Sequence, residues 1–272
     1  MKISGYQLQS CFAPYIEQFI QEKRAAGFIY ESEEWKLKHF DAFCIEESVT
    51  EPCLNRELVK KWGTLRDGEA LVTCSARTSV IKQFALFLTS LGIEAYIPSN
   101  FYKAEKKVVH ILSDAEIKAF FEKVDGYVPI VTIAGFYRLA DEYKVIFRLI
   151  YCCGLRISEA RKLRWKDVDF KQGTIRILQS KGHKDRLVYM AEDLTELLHA
   201  YEKVLYDKYH CLSEWVFPAR EADRCLSNGT IDKKFHEFWT LTPYAGCCDK
   251  VPTVHCLRHT FVVKRMTLWM EE

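Results

Sequence analysis

The 272-residue sequence lacks any run of 18 or more apolar residues, and its first dozen residues hold a lysine but no extended apolar segment. These absences argue against a membrane-spanning helix and against a secretory signal. Cysteine, with 11 residues or about 4% of the chain, stays below the density of a disulfide scaffold, and the odd number leaves at least one thiol unpaired. A disulfide-stabilised scaffold is therefore excluded. We expect a soluble cytoplasmic protein with no membrane partner.

The net charge is also close to zero, at +2 from 39 basic and 37 acidic side chains. By itself this balance predicts no nucleic-acid partner, because binding to phosphates requires a local excess of cations. The balance changes along the chain, however. Residues 154–186 carry ten basic and four acidic side chains, and residues 250–265 carry four basic side chains, two histidines and no acid. Positive charge is thus concentrated in two segments of the second half.

Apolar residues recur at helical spacing in the first hundred residues, which predicts a small helical bundle. The stripes are Phe12, Tyr15, Ile16, Phe19 and Ile20; Trp35, Phe40 and Phe43; and Val80, Ile81, Phe84, Leu88 and Leu91. We expect these aromatic side chains to form a core rather than a platform for stacked bases. The last helix should stop at Gly92. We therefore divide the chain into a helical domain (1–92), a linker (93–111) and a second domain (112–272).

The second domain is predicted to open with a capping box, in which Ser113 and Glu116 satisfy each other's amides. An apolar helical face follows from Tyr143 to Tyr151 and ends at Gly154, which can adopt a left-handed cap conformation. Short β-branched runs separated by turn residues then predict an antiparallel meander, and helical patterns resume near Leu194–Leu205, Ile231–Trp239 and His255–Met270. The expected fold class is mainly α with a small antiparallel β-sheet.

Four side chains of the second domain form a pattern that suits a phosphate group: Arg156, Lys181, His255 and Arg258. Each guanidinium offers a rigid fork of donors for phosphate oxygens, a lysine can supply a proton, and a histidine can exchange one near neutrality. His255 and Arg258 are three residues apart, so they share a face if their segment is helical. Such a site stabilises the charge of a phosphoryl transition state without a metal.

Alternative roles exist for several neighbours of these residues. Lys184 competes with Lys181 for the same role, and His259 is expected to support the site rather than act as a second base. Asp167 and Asp169 resemble metal ligands, but the positive surroundings favour a solvated turn pair. The cysteines Cys247, Cys248 and Cys256 near His255 suggest zinc, yet adjacent cysteines do not have the usual spacing of zinc ligands. We therefore expect no metal and no cofactor.

With these residues in this order, the chain resembles the tyrosine recombinases of the phage integrase family. The resemblance covers nearly the whole sequence and rests on Gly154 to Glu159 and His255 to His259, with a lysine hairpin between them. It implies a helical core-binding domain, a catalytic domain from about Leu112, and a C-shaped clamp around double-stranded DNA. It also implies that Arg156 and Arg258 grip the scissile phosphate while Lys181 protonates the leaving 5′ oxygen. His255 would assist proton transfer, and Glu159 would support Arg156 by a hydrogen bond.

The family's nucleophile is a tyrosine on a later helix, preceded by a further histidine or tryptophan that touches the phosphate. Fourteen residues follow Arg258 here, and none of them is a tyrosine. Trp269 falls within the same predicted helix as Arg258 and does not match the family's later group. We therefore expect a catalytic domain that is incomplete at its C-terminus, in a chain that binds DNA without cleaving it.

The leading interpretation is a site-specific recombinase or integrase that, when complete, rejoins strands through a 3′-phosphotyrosine. The alternatives are a non-catalytic accessory protein that occupies recombination sites, and an enzyme of the type IB topoisomerase kind. Outside the pocket we expect phosphate contacts from Arg77, Lys82, Lys184 and Arg186. The resemblance implies a tetramer on DNA, whereas this chain alone should be monomeric. The target sequence is not readable from these residues.

Overall fold

The computed structural model describes residues 6–99, 108–131, 133–178, 185–248 and 250–271. The chain forms two compact units, residues 1–107 and 108–272, so the division falls inside the predicted linker. Within the described residues, no helix combines the length and the apolar character that crossing a bilayer requires.

The first unit contains four described helices: α1 (Ala13–Ala25), α2 (Glu31–Glu46), α3 (Arg56–Gly63) and α4 (Leu71–Ser90). The helix α3 is absent from the sequence prediction because it is only eight residues long. It begins at Asn55, whose side chain accepts a hydrogen bond of 2.8 Å from the Leu58 amide and so satisfies an otherwise free helix donor. After α4 the chain turns at Gly92, which has a φ of 79°.

The core of the first unit is aromatic, as the stripes predict. Its fully buried rings include Phe12, Phe40 and Phe84, which meet one another at centroid distances of 5.9 to 6.5 Å. Trp35 departs from the prediction because its side chain is 57% exposed, and its ring lies on the ring of His39. The apolar pattern of α2 therefore predicts a buried residue at a position that is exposed in the structure.

The second unit is built around α6 (Ala134–Cys153), which packs against α5 (Asp114–Asp125), α7 (Ile157–Arg161), α8 (Glu192–Asp207) and α10 (Val254–Glu271). The remaining helix, α9 (Asn228–Thr240), contributes Phe235, Phe238 and Trp239 to the same core. The predicted capping box is present at α5: the Ser113 amide donates to Glu116, and the Glu116 amide donates to the Ser113 hydroxyl.

A three-stranded antiparallel sheet of order β1-β2-β3 lies between α7 and α8, which confirms the predicted meander. The strands are β1 (Val168–Asp169), β2 (Thr174–Ile177) and β3 (Arg186–Tyr189), and Ile177 pairs with Arg186. Asp169 accepts hydrogen bonds from the amides of Lys171 and Gln172, so its carboxylate closes the turn after β1. This contact agrees with the solvated-turn interpretation of the Asp167 and Asp169 pair.

A buried ion pair joins α6 to a distant loop of the second unit. Arg138 donates to Glu142, one turn further along α6, and also to the carbonyl oxygens of Pro218 and Ala219. Glu142 is completely buried. Burial raises the pKa of the Glu142 carboxyl well above its usual value, although the charge of Arg138 opposes the rise. Removing Arg138 would therefore leave a buried carboxyl without its cation.

Candidate active site

The turn between α6 and α7 presents the first arginine of the site. Gly154 ends α6 with φ 60° and ψ 32°, a left-handed conformation that glycine adopts without strain. A Cβ at this position would lie 2.3 Å from a ring carbon of Phe261 on α10. Leu155 then turns into the core with no exposed surface, and Arg156 precedes α7. The absence of a side chain at Gly154 thus lets α10 approach the turn that carries Arg156.

Glu159, on the first turn of α7, is the centre of the site. Its Oε1 accepts a hydrogen bond of 2.7 Å from the Arg156 guanidinium, and its Oε2 accepts one of 2.8 Å from the Arg156 amide. Arg186 donates to both carboxylate oxygens, at 3.0 and 2.8 Å, in the fork geometry that makes arginine–carboxylate pairs strong. One carboxylate therefore orients two arginines that lie 30 residues apart.

Arg258 reaches the same carboxylate from α10. The residues Val254, Cys256, Leu257 and Thr260 bury one side of this helix against the second unit. Arg258 is half-buried on the same helix. Its guanidinium donates to the Gly154 carbonyl oxygen and lies 3.9 Å from Glu159 Oε2. The structure thus brings Arg156, Arg258 and Glu159 together, and it adds Arg186 to them.

Three guanidinium groups around one carboxylate leave a local excess of positive charge. The side chains of Arg156, Arg186 and Arg258 remain 34, 33 and 24% exposed, whereas that of Glu159 is 6% exposed. The cationic edges therefore face solvent while the carboxylate lies beneath them. An oxyanion from outside meets arginine donors first, and a planar fork of such donors suits phosphate oxygens.

Ionisation of the cluster follows from these contacts. Burial alone would raise the pKa of Glu159, but the hydrogen bonds from Arg186 and Arg156 outweigh it and lower the pKa to about 2. For Arg258, burial and the charges of Arg156 and Arg186 lower the pKa of the guanidinium, while Glu159 partly restores it. An arginine starts from so high a pKa that it stays charged. At neutral pH Glu159 is therefore a carboxylate, and Arg258 keeps its charge.

His255 and His259 lie on α10, on either side of Arg258 in sequence. Both are exposed, with ring centroids 6.4 Å apart. Burial and the charges of His255 and Arg258 lower the pKa of His259, so its neutral form is favoured at neutral pH. His255 is three residues before Arg258, so the two side chains lie on one side of α10. Lys181 and Lys184 lie outside the described residues.

Several cations of the two basic segments serve the fold instead. Arg161 donates to the Leu226 carbonyl oxygen, and Arg164 lies 4.5 Å from the Trp215 ring centroid and pairs with Glu214. Lys264, on α10, donates to Asp114 and to the Tyr151 hydroxyl. Clustering of charge along the sequence therefore overstates the number of cations that face a ligand.

Two sequence predictions for DNA contacts need correction. Arg77 of α4 is predicted from the sequence to contact a phosphate, but it is 5% exposed, donates to Glu69 at 2.8 Å and lies 5.0 Å from the Trp62 ring centroid. A phosphate cannot reach a guanidinium that is buried in this way, so that prediction is wrong. Arg186 was placed outside the pocket, whereas its guanidinium is bound to Glu159 within it. Lys82 is half-buried on α4, and its role stays a prediction.

No local signal identifies Arg186 as part of the cluster. It is the first residue of β3 and lies 27 positions after Glu159, so the strands β1 and β2 come between the two residues in sequence. Its contact with Glu159 depends on how the hairpin folds back onto α7. The alternation of β3 indicates only that Arg186 and Val188 lie on one face of the sheet.

Comparison with known proteins identifies the family of the chain. Residues 132–265 match the model of the phage integrase family. A putative integrase/recombinase, y4qK of Sinorhizobium fredii (strain NBRC 101917 / NGR234), is 33% identical over 256 residues, which cover 92% of this chain and 75% of the relative. The chain belongs to the phage integrase family of tyrosine recombinases. The family consists of enzymes, so the chain is an enzyme by family.

Two further similarities are consistent with this assignment. The tyrosine recombinase XerC of Chlamydia muridarum (strain MoPn / Nigg) is 29% identical over 211 residues, which cover 73% of this chain and 58% of XerC. The crystal structure of the XerH site-specific recombinase bound to palindromic difH substrate, a post-cleavage complex, matches 93% of this chain and 74% of XerH with a TM-score of 0.62. At 19% identity this last similarity shows the recombinase fold alone.

Proposed function

We propose that this phage integrase family member binds duplex DNA as a site-specific recombinase and seats the scissile phosphate on the cluster of Arg156, Arg258 and Glu159. The observation that carries the proposal is the convergence of partly exposed guanidiniums on one buried carboxylate. The relatives named above are integrases and recombinases, which favours this function over a type IB topoisomerase. XerH, which shares the fold, is a site-specific recombinase bound to its difH substrate.

In this proposal the roles of the residues follow from their chemistry. Arg156 and Arg258 supply donors to the non-bridging phosphate oxygens and stabilise the charge of the transition state. Arg186 has both of its terminal nitrogens on Glu159, so it acts on the phosphate through Glu159 and is a positioning residue. Lys181 is assigned to protonation of the leaving 5′ oxygen, and exposed His255 to proton transfer.

A 272-residue polypeptide of this sequence is proposed to hold DNA without joining it covalently. Cleavage in the family requires a tyrosine nucleophile, and no tyrosine follows Arg258 in these residues. Tetramers are proposed for the DNA-bound state and a monomer for the free polypeptide. We further propose a cytoplasmic location, where its 11 cysteines stay reduced. Lys82 and Lys184 are proposed to contact phosphates beside the cleavage point.

The first experiment measures binding to a mixed-sequence duplex by fluorescence anisotropy at several salt concentrations. Arg258→Ala should weaken binding and lower the slope of log K against log salt by about 0.9, the value for one lost phosphate contact. Arg224→Ala is the matched control, because Arg224 is 68% exposed and pairs with Glu221 away from the cluster. If both variants show the same affinity and slope as the parent chain, the cluster does not hold a phosphate.

The second experiment tests the absence of cleavage. A pool of duplexes of randomised sequence, each nicked in one strand, traps covalent intermediates because the short strand released beside the nick diffuses away. We expect no adduct that survives denaturation from the 272-residue polypeptide. An adduct would contradict the non-cleaving proposal, and mapping of the attached residue would identify another nucleophile.

A further inference from the structure

A second cluster of chemically reactive side chains lies in the catalytic unit, and the recombinase function does not use it. His110 Nε2 is 2.8 Å from Glu116 Oε1, and Cys248 Sγ is 3.7 Å from His110 Nε2 and 4.0 Å from Glu116 Oε1. Among the described residues these three donor atoms lie within 4.8 Å of one another. They combine an imidazole nitrogen, a carboxylate oxygen and a thiol sulfur.

The cluster depends on tertiary structure. His110 precedes α5, Glu116 is on the first turn of α5, and Cys248 belongs to the loop between α9 and α10, which is 132 residues beyond Glu116. The capping box holds Glu116 Oε2 on Ser113, so Oε1 is the oxygen that faces His110 and Cys248. Each of the three side chains is buried or half-buried. Their positions are therefore determined before any ligand arrives.

We propose that His110, Glu116 and Cys248 form a binding site for a zinc-type divalent cation. Typical zinc bonds to nitrogen, oxygen and sulfur place the donors of a tetrahedral site roughly 3.3 to 3.6 Å apart. The two distances to Cys248 Sγ are within about half an ångström of this range. The distance between His110 and Glu116 is shorter because a hydrogen bond joins them, and binding requires it to lengthen by a similar amount.

The donor set selects the class of metal. A thiolate and an imidazole favour zinc and similar soft or borderline cations over magnesium and calcium, which prefer oxygen ligands. One thiolate and one carboxylate balance the charge of a divalent ion. The positive end of the α5 dipole opposes a cation, but this effect is small beside the affinity of zinc for its protein ligands. A water molecule can serve as the fourth ligand, because the His110 side chain is 34% exposed.

The site has a defined structural consequence. Cys248 lies six residues before α10, the helix that carries His255 and Arg258. A metal would tie this loop to the start of α5, in addition to the hydrogen bond from the Leu112 amide to the Thr260 hydroxyl. The cation thereby fixes the entry to α10 and takes no part in phosphate chemistry. This inference does not depend on DNA binding.

The sequence pattern alone pointed away from such a site. The cysteines near His255 lack the spacing of a zinc motif, and the structure pairs Cys248 with residues of a different segment instead. Cys256 is 5% exposed and its sulfur accepts from the Thr253 amide, so it belongs to the start of α10. Cys247 is exposed, and its thiol donates to the Pro243 carbonyl oxygen.

The test uses the full 272-residue chain, stripped of metal by a chelator and titrated with zinc chloride against a chromophoric competitor. We expect one zinc per chain. Cys248→Ser and His110→Gln should each weaken zinc binding at least about tenfold. Even residues that only hydrogen-bond to the ligands of a zinc ion change its affinity by about tenfold or more when they are replaced. Cys247→Ser is the matched control and should bind as the parent chain does. With cobalt, the thiolate charge-transfer band should survive in Cys247→Ser and vanish in Cys248→Ser.

Glu116→Gln provides a variant that is expected to fold, because glutamine can replace glutamate in a capping box. It should weaken zinc binding while circular dichroism shows unchanged helix content. The proposal is overturned if zinc binds the parent chain and Cys248→Ser with the same affinity and stoichiometry, or if the parent chain binds none. In either case the three side chains form only a hydrogen-bonded polar cluster.

Discussion

Replacing Glu159 by glutamine removes the one negative charge that the three arginines share. The side chain keeps its size, but Arg186 no longer donates to two carboxylate oxygens, and the hydrogen-bond partner of Arg156 becomes uncharged. Because the pKa of Glu159 falls from 4.5 to about 2, the charged form is stabilised in the folded state by about 3 kcal/mol. We expect Glu159→Gln to lower the free energy of unfolding of the second unit by up to that amount at pH 7.

The pH dependence distinguishes this cause from a simple packing defect. A carboxyl whose pKa is lowered by folding stabilises the protein above its unfolded pKa, and this stabilisation is lost as the pH falls through the folded value. For Glu159 the loss should therefore occur between about pH 4.5 and about pH 2. The difference between the parent chain and Glu159→Gln should be largest at pH 7 and shrink across this window.

Urea unfolding at pH 7, 4 and 3 measures this difference, and Glu214→Gln is the matched control. Glu214 also pairs with an arginine, but its side chain is 57% exposed, so its loss should cost less than about 1 kcal/mol. Other carboxylates titrate equally in both proteins and cancel in the comparison. The explanation would be refuted by a difference between parent and Glu159→Gln that stays constant from pH 7 to pH 3, or by one no larger than that of Glu214→Gln.

Three further substitutions test the surroundings of the site and the buried pairs. Gly154→Ala should lower the free energy of unfolding by at least about 2 kcal/mol, since alanine would have to adopt a positive φ and its Cβ would meet the Phe261 ring. It should also weaken DNA binding in the anisotropy assay. Arg138→Met should destabilise the second unit by about 1 to 3 kcal/mol in urea because Glu142 and the carbonyl oxygens of Pro218 and Ala219 stay buried without their donor. Arg77→Ala should reduce the thermal stability of the first unit, because Arg77 forms a buried ion pair with Glu69. The salt slope of DNA binding should stay unchanged. A reduced slope would show that Arg77 contacts a phosphate.

Local sequence determined much of the fold. The capping box of Ser113 and Glu116 and the left-handed cap at Gly154 involve residues close together in the chain, so their chemistry is readable without a structure. The helical stripes predicted the aromatic core of the first unit, and turn residues predicted the three-stranded meander. The order of Arg156, Lys181, His255 and Arg258 was enough to identify the family.

Tertiary structure decided which charges meet. Arg77 resembles any surface arginine of a helix until folding places Glu69 and Trp62 around it. Arg186 joins Glu159 only because the hairpin returns to α7, and Cys248 meets His110 across 138 residues of chain. Periodicity reports which face of an element is apolar, whereas the partner of a polar group depends on contacts between elements distant in sequence. The sequence by itself therefore determined the family and most of the helices and strands, and packing alone decided which side chains share a site.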